Sequence, residues 1–205
     1  MKWLKDLCEF TIRILKDESG GLQIEDGTGK GYSAEVDVKN RLKTLAVSKS
    51  IEHNVNHDEG EAYQLLFDAT VDTANNCILY IKNTDEKDIV IEGVNLARGS
   101  AGTATDVLVY LNDTGTASGV TTIIPVSANA GSGNLSTGLF YSGNSIASIT
   151  RGAKLDRIRL TNTESQWFNF QMDVVVPKNK VFTLCITQSG VSVIGMIPFY
   201  YQDQN

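Results

Sequence analysis

The sequence predicts an all-β fold, an antiparallel β-sandwich of the jelly-roll type that follows an N-terminal arm. From Tyr32 onward, short runs of β-branched and aromatic residues alternate with clusters of Asn, Asp, Gly and Ser. No pattern of a long amphipathic helix follows residue 35. About ten strands of this size favour two sheets packed face to face, and that number exceeds what an immunoglobulin-like sandwich needs, which favours a jelly roll.

The first 33 residues are predicted to be the arm with its glycine-rich linker, and residues 34–205 the sandwich. The arm reads either as a short amphipathic helix or, from Phe10 to Ile14, as a strand, because periodicity does not decide over so few residues. The segment 17–31, DESGGLQIEDGTGKG, is typical of a linker. The apolar residues of the arm, which we expect to contact a partner, are Trp3, Leu4, Leu7 and Phe10.

The sandwich is predicted from short apolar segments between turn signals. In the clearest, QWFNFQMDVVV, apolar residues from Phe168 to Val174 alternate with polar ones, as in a strand with one solvated face. Turns at Pro177–Asn179 and at 188–190 follow, so the three C-terminal strands are expected to form a meander. The candidate strands are 34–38, 42–48, 62–68, 77–82, 88–96, 106–111, 120–126, 155–161, 166–176, 180–187 and 191–200.

Residues 97–153 differ in composition, because Gly, Ala, Ser, Thr and Asn dominate and charges are few. This composition predicts loops, either mobile or forming a contact surface between copies of the chain.

Composition excludes several classes of protein. The net charge of −6 argues against nucleic acid as a partner, and no apolar run approaches the ~20 residues of a membrane helix. Cys8, Cys77 and Cys185 form no C-x-x-C pair, and the last two lie in apolar runs. They are predicted to be free thiols, which fits synthesis in a reducing cytoplasm.

No catalytic, cofactor or metal site is predicted, and the chain is interpreted as non-enzymatic. The glycines of GTGKG, residues 27–31, lack the spacing of a phosphate-binding loop. Ser145 in the pattern Gly-x-Ser-x-Ala has no histidine after it, as an α/β-hydrolase would require. His53 and His57 have the spacing of a zinc site on a helix, but their segment is typical of a polar loop.

A resemblance then indicates a class of protein. Ala34, Val36, Asp37 and the run Asn40–Leu42 form the string A-x-V-D-x-x-N-R-L, which resembles virion proteins of tailed bacteriophages. The acidic G-E-A-Y at 60–63 and the strand-turn-strand units at 78–96 and 174–187 look like those of the same group.

The resemblance implies a head decoration or cement protein of the virion, assembled in the host cytoplasm. Its partners would be the major capsid protein or other virion proteins, bound through the arm and through contacts between copies. A tail, baseplate or head-fibre component is the alternative within the virion. A carbohydrate-binding sandwich is the alternative outside it, with candidate stacking residues Tyr141, Trp167, Tyr200 and Tyr201.

The C-terminal run MIPFYYQDQN predicts self-association. Its apolar side chains point alternately to two faces of a strand, so some are expected to find cover outside the core. A homotrimer is predicted, because a closed symmetric oligomer suits a threefold position on a capsid. Its interface is expected at Phe199, Tyr200 and Tyr201 or at the small-residue loops.

Overall fold

The computed structural model describes residues 55–99, 104–161 and 163–203, together with four two-residue strands nearer the N-terminus. Strands β1 (Leu15–Lys16) and β2 (Leu22–Gln23) pair with each other, as do β3 (Glu35–Val36) and β4 (Leu42–Lys43). The chain divides into two compact units, residues 1–48 and 49–205.

The second unit begins, in its described part, with a π-helical turn and continues as strands. The turn is Val55–Glu59. The strands are β5 (Ala62–Thr70), β6 (Asn76–Lys82), β7 (Asp88–Arg98), β8 (Thr105–Leu111), β9 (Thr114–Ser118), β10 (Thr121–Thr122), β11 (Val126–Ser127), β12 (Leu139–Thr150), β13 (Ala153–Leu160), β14 (Gln166–Val176), β15 (Val181–Ile186) and β16 (Ser192–Gln202).

These strands form two antiparallel sheets that pack together, which confirms the predicted all-β sandwich. One sheet has the order β10-β12-β6-β15-β8-β13, with β9 also paired to β12. The other has the order β11-β5-β16-β7-β14. Apolar side chains from the inner faces of both sheets form one core, in which alternate residues of β5, from Tyr63 to Ala69, are buried.

Aromatic rings fill one end of this core. The ring of Phe199 stacks between Tyr63, at 5.5 Å, and Phe140, at 5.3 Å, and Tyr201 meets Phe199 edge-on at 5.9 Å. Gly195, further along β16, lies against Phe67, since a Cβ there would come within 2.3 Å of its ring. Any larger residue at position 195 would displace that ring.

The predicted meander of the three C-terminal strands is wrong. Both turns exist: Lys180 N–H donates to Pro177 O at 2.9 Å, and Asn179 and Gly190 have φ of +64° and +72°. However, β15 pairs with β6 and β8, whereas β14 and β16 both lie in the other sheet. Turn residues mark where the chain reverses, but not whether it returns to the same sheet or crosses to the opposite one.

The prediction of loops between residues 97 and 153 is also wrong for much of that segment. Strand β12 has twelve residues and pairs with β6, β9 and β10. The small polar residues of this segment do not predict a strand. The pairing of β12 with β6 is irregular between Ser142 and Ile146. The predicted strand 120–126 is instead two short strands, β10 and β11, separated at Ile123–Pro125.

The prediction of free thiols is wrong for Cys77 and Cys185, which form a disulfide. The two residues are direct partners on β6 and β15. They lie in a second apolar cluster with Tyr80, Ile146 and Val181. A separation of 108 residues in sequence gives no sign of this pairing, and the argument from free thiols for a reducing compartment no longer applies.

Candidate functional site

The outer face of the five-stranded sheet carries an exposed row of apolar side chains. Leu66 on β5 is opposite Met196 on β16, Met196 is opposite Asn95 on β7, and Asn95 is opposite Trp167 on β14. Directly paired residues lie on the same face, so one row crosses four strands. Ile194 lies in the next row, opposite Asp68 and Ala97. We call Leu66, Trp167, Ile194 and Met196 the apolar strip.

Three of the four members of the strip are unusually exposed for their size. Leu66 is 61% exposed, Ile194 48% and Trp167 44%, and Met196 is half-buried. Surface residues of this kind are ordinary when scattered, but a contiguous group indicates a binding surface. The strip is therefore the strongest candidate for a protein contact on this sheet.

Trp167 is held in place against the sheet. Gly93 lies beneath it, since a Cβ at position 93 would come within 3.0 Å of the indole Cζ2. The indole N–H donates to Asn169 Oδ1, and Ser165 Oγ donates to Oδ1 of Asn95 beside it. An aromatic ring fixed before binding loses little side-chain entropy on contact, which suits an anchor residue.

The other end of the same outer face is covered by the chain itself. Tyr200 packs there with Val90 of β7 and with Val55 of the π-helical turn. Phe199 and Tyr201 point the other way, into the core. The expectation that successive side chains of β16 face opposite ways is correct, but the cover for Tyr200 comes from Val55 rather than from another copy. This argument for an interface at Phe199, Tyr200 and Tyr201 therefore does not hold, while the trimer itself stays a prediction.

The outer face of the other sheet bears a row of tyrosines. Tyr141, Tyr80, Thr183 and Tyr110 are consecutive partners across β12, β6, β15 and β8. The buried carboxylate of Asp113 accepts hydrogen bonds from Thr183 Oγ1 and Gly152 N–H, both at 2.8 Å. Burial, followed by the charge of Asp113, raises the pKa of Tyr80. Through these hydrogen bonds, Asp113 joins the loop after β8 to the sheet.

A small pocket at one end of the sandwich includes three further groups whose pKa values are shifted, Tyr63, Asp85 and Lys87. It has a volume of about 210 Å³ and includes Tyr63, Asp85, Lys87 and Tyr201. A hydrogen bond from Lys87 Nζ to Glu61 Oε2, at 2.7 Å, raises the pKa of Lys87. Hydrogen bonds from the Lys87 backbone N–H and the Thr137 hydroxyl lower the pKa of Asp85, and burial raises that of Tyr63.

These contacts hold a loop onto the sandwich. The Tyr201 hydroxyl lies 2.8 Å from Ser136 Oγ and accepts from the Thr137 N–H at 3.3 Å. Asn134 Nδ2 donates to the Glu59 carbonyl at 2.8 Å. Thr137 Oγ1 also donates to Asp85, so Asp85 and Tyr201 both help to hold residues 134–137, and we assign these two side chains a structural role.

The remaining predicted site residues are distributed as follows. Trp3, Leu4, Leu7 and Phe10 of the arm, the glycines 27–31 and His53 lie outside the described residues. His57 is exposed on the π-helical turn, and Ser145 Oγ accepts from Asn76 Nδ2. Of the proposed sugar-stacking residues, Trp167 is exposed and Tyr141 half-buried, but Tyr200 and Tyr201 are buried. In the described part of the chain, no three His, Cys, Asp or Glu side chains come together as a metal site would need.

Sequence reasoning missed most of the apolar strip. The adjacent apolar pair Leu65 and Leu66 in β5 was its clearest signal, because neighbouring residues of a strand face opposite sides.

Among the described residues, no helix is long and apolar enough to cross a membrane.

No protein-family model matches the chain, and no curated protein matches it significantly. The function is therefore proposed from the residues and the fold.

Proposed function

We propose that the chain is a non-enzymatic structural protein of a tailed-bacteriophage virion, which decorates or cements the capsid shell. The resemblance of residues 34–42 and 60–63 to phage virion proteins supports this assignment. The order of the strands supports it independently of any motif.

That order is the observation that carries the proposal. One sheet contains the four neighbours β5-β16-β7-β14, and the other contains β6-β15-β8-β13. The chain alternates between the sheets from β5 to β8 and again from β13 to β16. This is the arrangement expected of an eight-stranded jelly roll, with β9–β12 as an insertion, and jelly rolls recur in viral capsid and lectin domains. We infer a jelly roll on this ground.

Attachment to the particle would use two surfaces. The N-terminal arm, with Trp3, Leu4, Leu7 and Phe10, would contact the major capsid protein or another virion protein. The apolar strip would contact a neighbouring subunit. Many copies on one particle make weak individual contacts sufficient. A disulfide is compatible with a protein displayed at a virion surface, where conditions are oxidising.

Binding to capsids tests this proposal. Purified protein is mixed with heads that lack it, from the phage that encodes the chain, and the bound fraction is measured after sedimentation. We expect saturable binding, and we expect Trp167→Ala with Ile194→Lys to reduce the affinity at least tenfold. The matched control is Leu135→Ala with Ile124→Lys, which changes exposed residues outside the strip. Absence of saturable binding by the native chain would overturn the proposal.

A carbohydrate-binding sandwich is the second candidate, and the fixed ring of Trp167 favours it. An exposed indole held in one position can stack on a sugar ring, and jelly rolls occur in lectins. Glycan-array binding that Trp167→Ala abolishes, without any binding to heads, would select this function instead.

A further inference from the structure

A cleft opens at one edge of the sandwich, where the chain crosses between the sheets. Strand β10 pairs with β12 in one sheet, and β11, four residues later, pairs with β5 in the other. The pairing of β11 with β5 includes only Tyr63 and Gln64. Beyond Gln64, the edge of β5 faces a cavity of about 740 Å³.

The backbone groups of Leu66 and Asp68 point into this opening. On the same edge, the Ala62 carbonyl accepts from Ala128 N–H at 2.8 Å, and Thr70 N–H donates to Asn144 Oδ1 at 3.1 Å. The N–H and C=O of every second residue in a strand point to the same side. Leu66 and Asp68 lie between these two fixed points, and no described strand pairs with them on this side.

The lining of the cleft adds charge and a buried hydroxyl. Asp68 and Asp72 contribute two carboxylates, and no lysine or arginine is among the described residues of the lining. Ser142 on β12 lines the cleft and is 93% buried, and its Oγ has no hydrogen-bond partner among the described residues. The exposed side chain of Leu66 provides an apolar contact at the rim. An unpaired strand edge with this lining is a template for one more strand.

We propose that this cleft binds an extended peptide segment of a partner protein, which adds to β5 opposite Leu66–Asp68. The segment runs antiparallel to β5, as β11 does, and its first and third residues form hydrogen-bonded pairs with Asp68 and Leu66. The first is basic, opposite the carboxylate of Asp68, the second is small and faces Ser142, and the third is apolar, opposite Leu66. A sugar is a poorer occupant, because Phe67 is the one aromatic residue in the described part of the lining and is buried.

The probe is the capped tripeptide acetyl-Lys-Thr-Val-amide, titrated into the isotope-labelled full chain and followed by NMR. We expect saturable shifts of the Leu66 and Asp68 amide signals. Two matched peptides separate the contribution of the backbone hydrogen bond from that of the charge. In the first, N-methylvaline replaces valine, which removes the N–H that would donate to the Leu66 carbonyl. In the second, glutamate replaces lysine, which reverses the charge opposite Asp68. Each is expected to bind at least fivefold more weakly.

Substitutions in the protein test the same contact between the basic residue of the peptide and the carboxylates of the cleft. Asp68→Lys with Asp72→Lys is expected to weaken the lysine peptide at least fivefold and to favour the glutamate peptide. The control is Asp173→Lys on β14, an exposed carboxylate at the opposite edge of the sheet. Thermal melting confirms that each variant is folded. Equal binding of the N-methylated peptide, shifts confined to other residues, or no saturable binding would overturn the proposal.

Discussion

The carboxylate of Asp106 joins two strands at the edge of the larger sheet. It lies on β8 and is nearly buried, and it pairs with Arg157 and, at 3.0 Å, with Arg159 Nη1, both on β13. Hydrogen bonding from Arg157 lowers the pKa of Asp106, Arg159 adds to this effect, and burial opposes it. Since the charged form is favoured in the folded state, this carboxylate stabilises the fold when ionised.

Replacement of Asp106 tests that contribution. Asp106→Asn should lower the free energy of unfolding at pH 7 by about 1–2 kcal/mol, because charge-assisted hydrogen bonds to two arginines are lost, while both arginines keep access to water. The stability that the carboxylate provides is present above its unfolded pKa of about 3.9 and disappears as the pH falls through its lower folded pKa.

Urea unfolding of both proteins at pH 7 and below pH 3 measures this effect. The stability difference should shrink on acidification. A difference that is equal at both pH values would show that the charge of Asp106 contributes nothing. Asp156→Asn is the control, because it removes an exposed carboxylate from β13, the strand that carries both arginines.

A second prediction for individual residues concerns the disulfide between Cys77 and Cys185. Alkylation of the unfolded protein without reductant should modify Cys8 alone, and alkylation after reduction should modify all three cysteines, as read by mass spectrometry. Closing a loop of about 100 residues restricts the unfolded chain. Cys77→Ala with Cys185→Ala should therefore destabilise the protein by about 2–4 kcal/mol. Three modified cysteines without reductant would contradict the pairing.

At the scale of elements, the arm is predicted to act separately from the sandwich. Deletion of residues 1–16 should leave a folded β-protein, because the glycine-rich segment 17–31 follows the deleted residues. The same deletion should abolish or strongly weaken attachment to the particle. Circular dichroism and head binding measure the two effects, and loss of folding would contradict the separate role of the arm.

Strands were predictable where one face is apolar and the other polar. In β14, Phe168 and Phe170 contact the core as the alternation predicts, and Val174 is buried. Met172 breaks the pattern and is 83% exposed, because the pairing with β7 is irregular between Asn169 and Val174. Such irregularities depend on the partner strand, which lies far away in sequence.

Strand β12, in contrast, was not predictable from its own residues. Its segment LFYSGNSIASIT has few β-branched residues, and glycine and serine occupy its centre. It is a strand because it lies beside β6, where Phe140 enters the core. Pairing and burial override weak local preference here, and a single sequence reports neither.

At the scale of the whole molecule, self-association is the main prediction. We expect a homotrimer, so light scattering should report about three times the chain mass of 22.3 kDa. Because Tyr200 and Tyr201 are buried, exposed residues are the suitable test positions. Leu66→Lys with Ile194→Lys should lower the mass if the apolar strip is the contact, while Leu135→Lys should not. A mass equal to that of one chain at micromolar concentration would contradict the predicted trimer.

The class of fold was predictable, but the route of the chain through it was not. Short apolar segments and turns define an all-β sandwich, because each strand must bury one face. The sheet that each strand joins depends on contacts such as that of Cys77 with Cys185, which are remote in sequence. The apolar strip likewise combines residues of three strands, β5, β14 and β16, and no local motif encodes it.

The central claim is that this chain is a structural component of a virion. Quantitative mass spectrometry of purified particles, from the phage that encodes the chain, tests it most directly. The account predicts that the chain is present at many copies per particle, in a fixed ratio to the major capsid protein. Its absence from purified particles that contain their full set of capsid proteins would contradict the account.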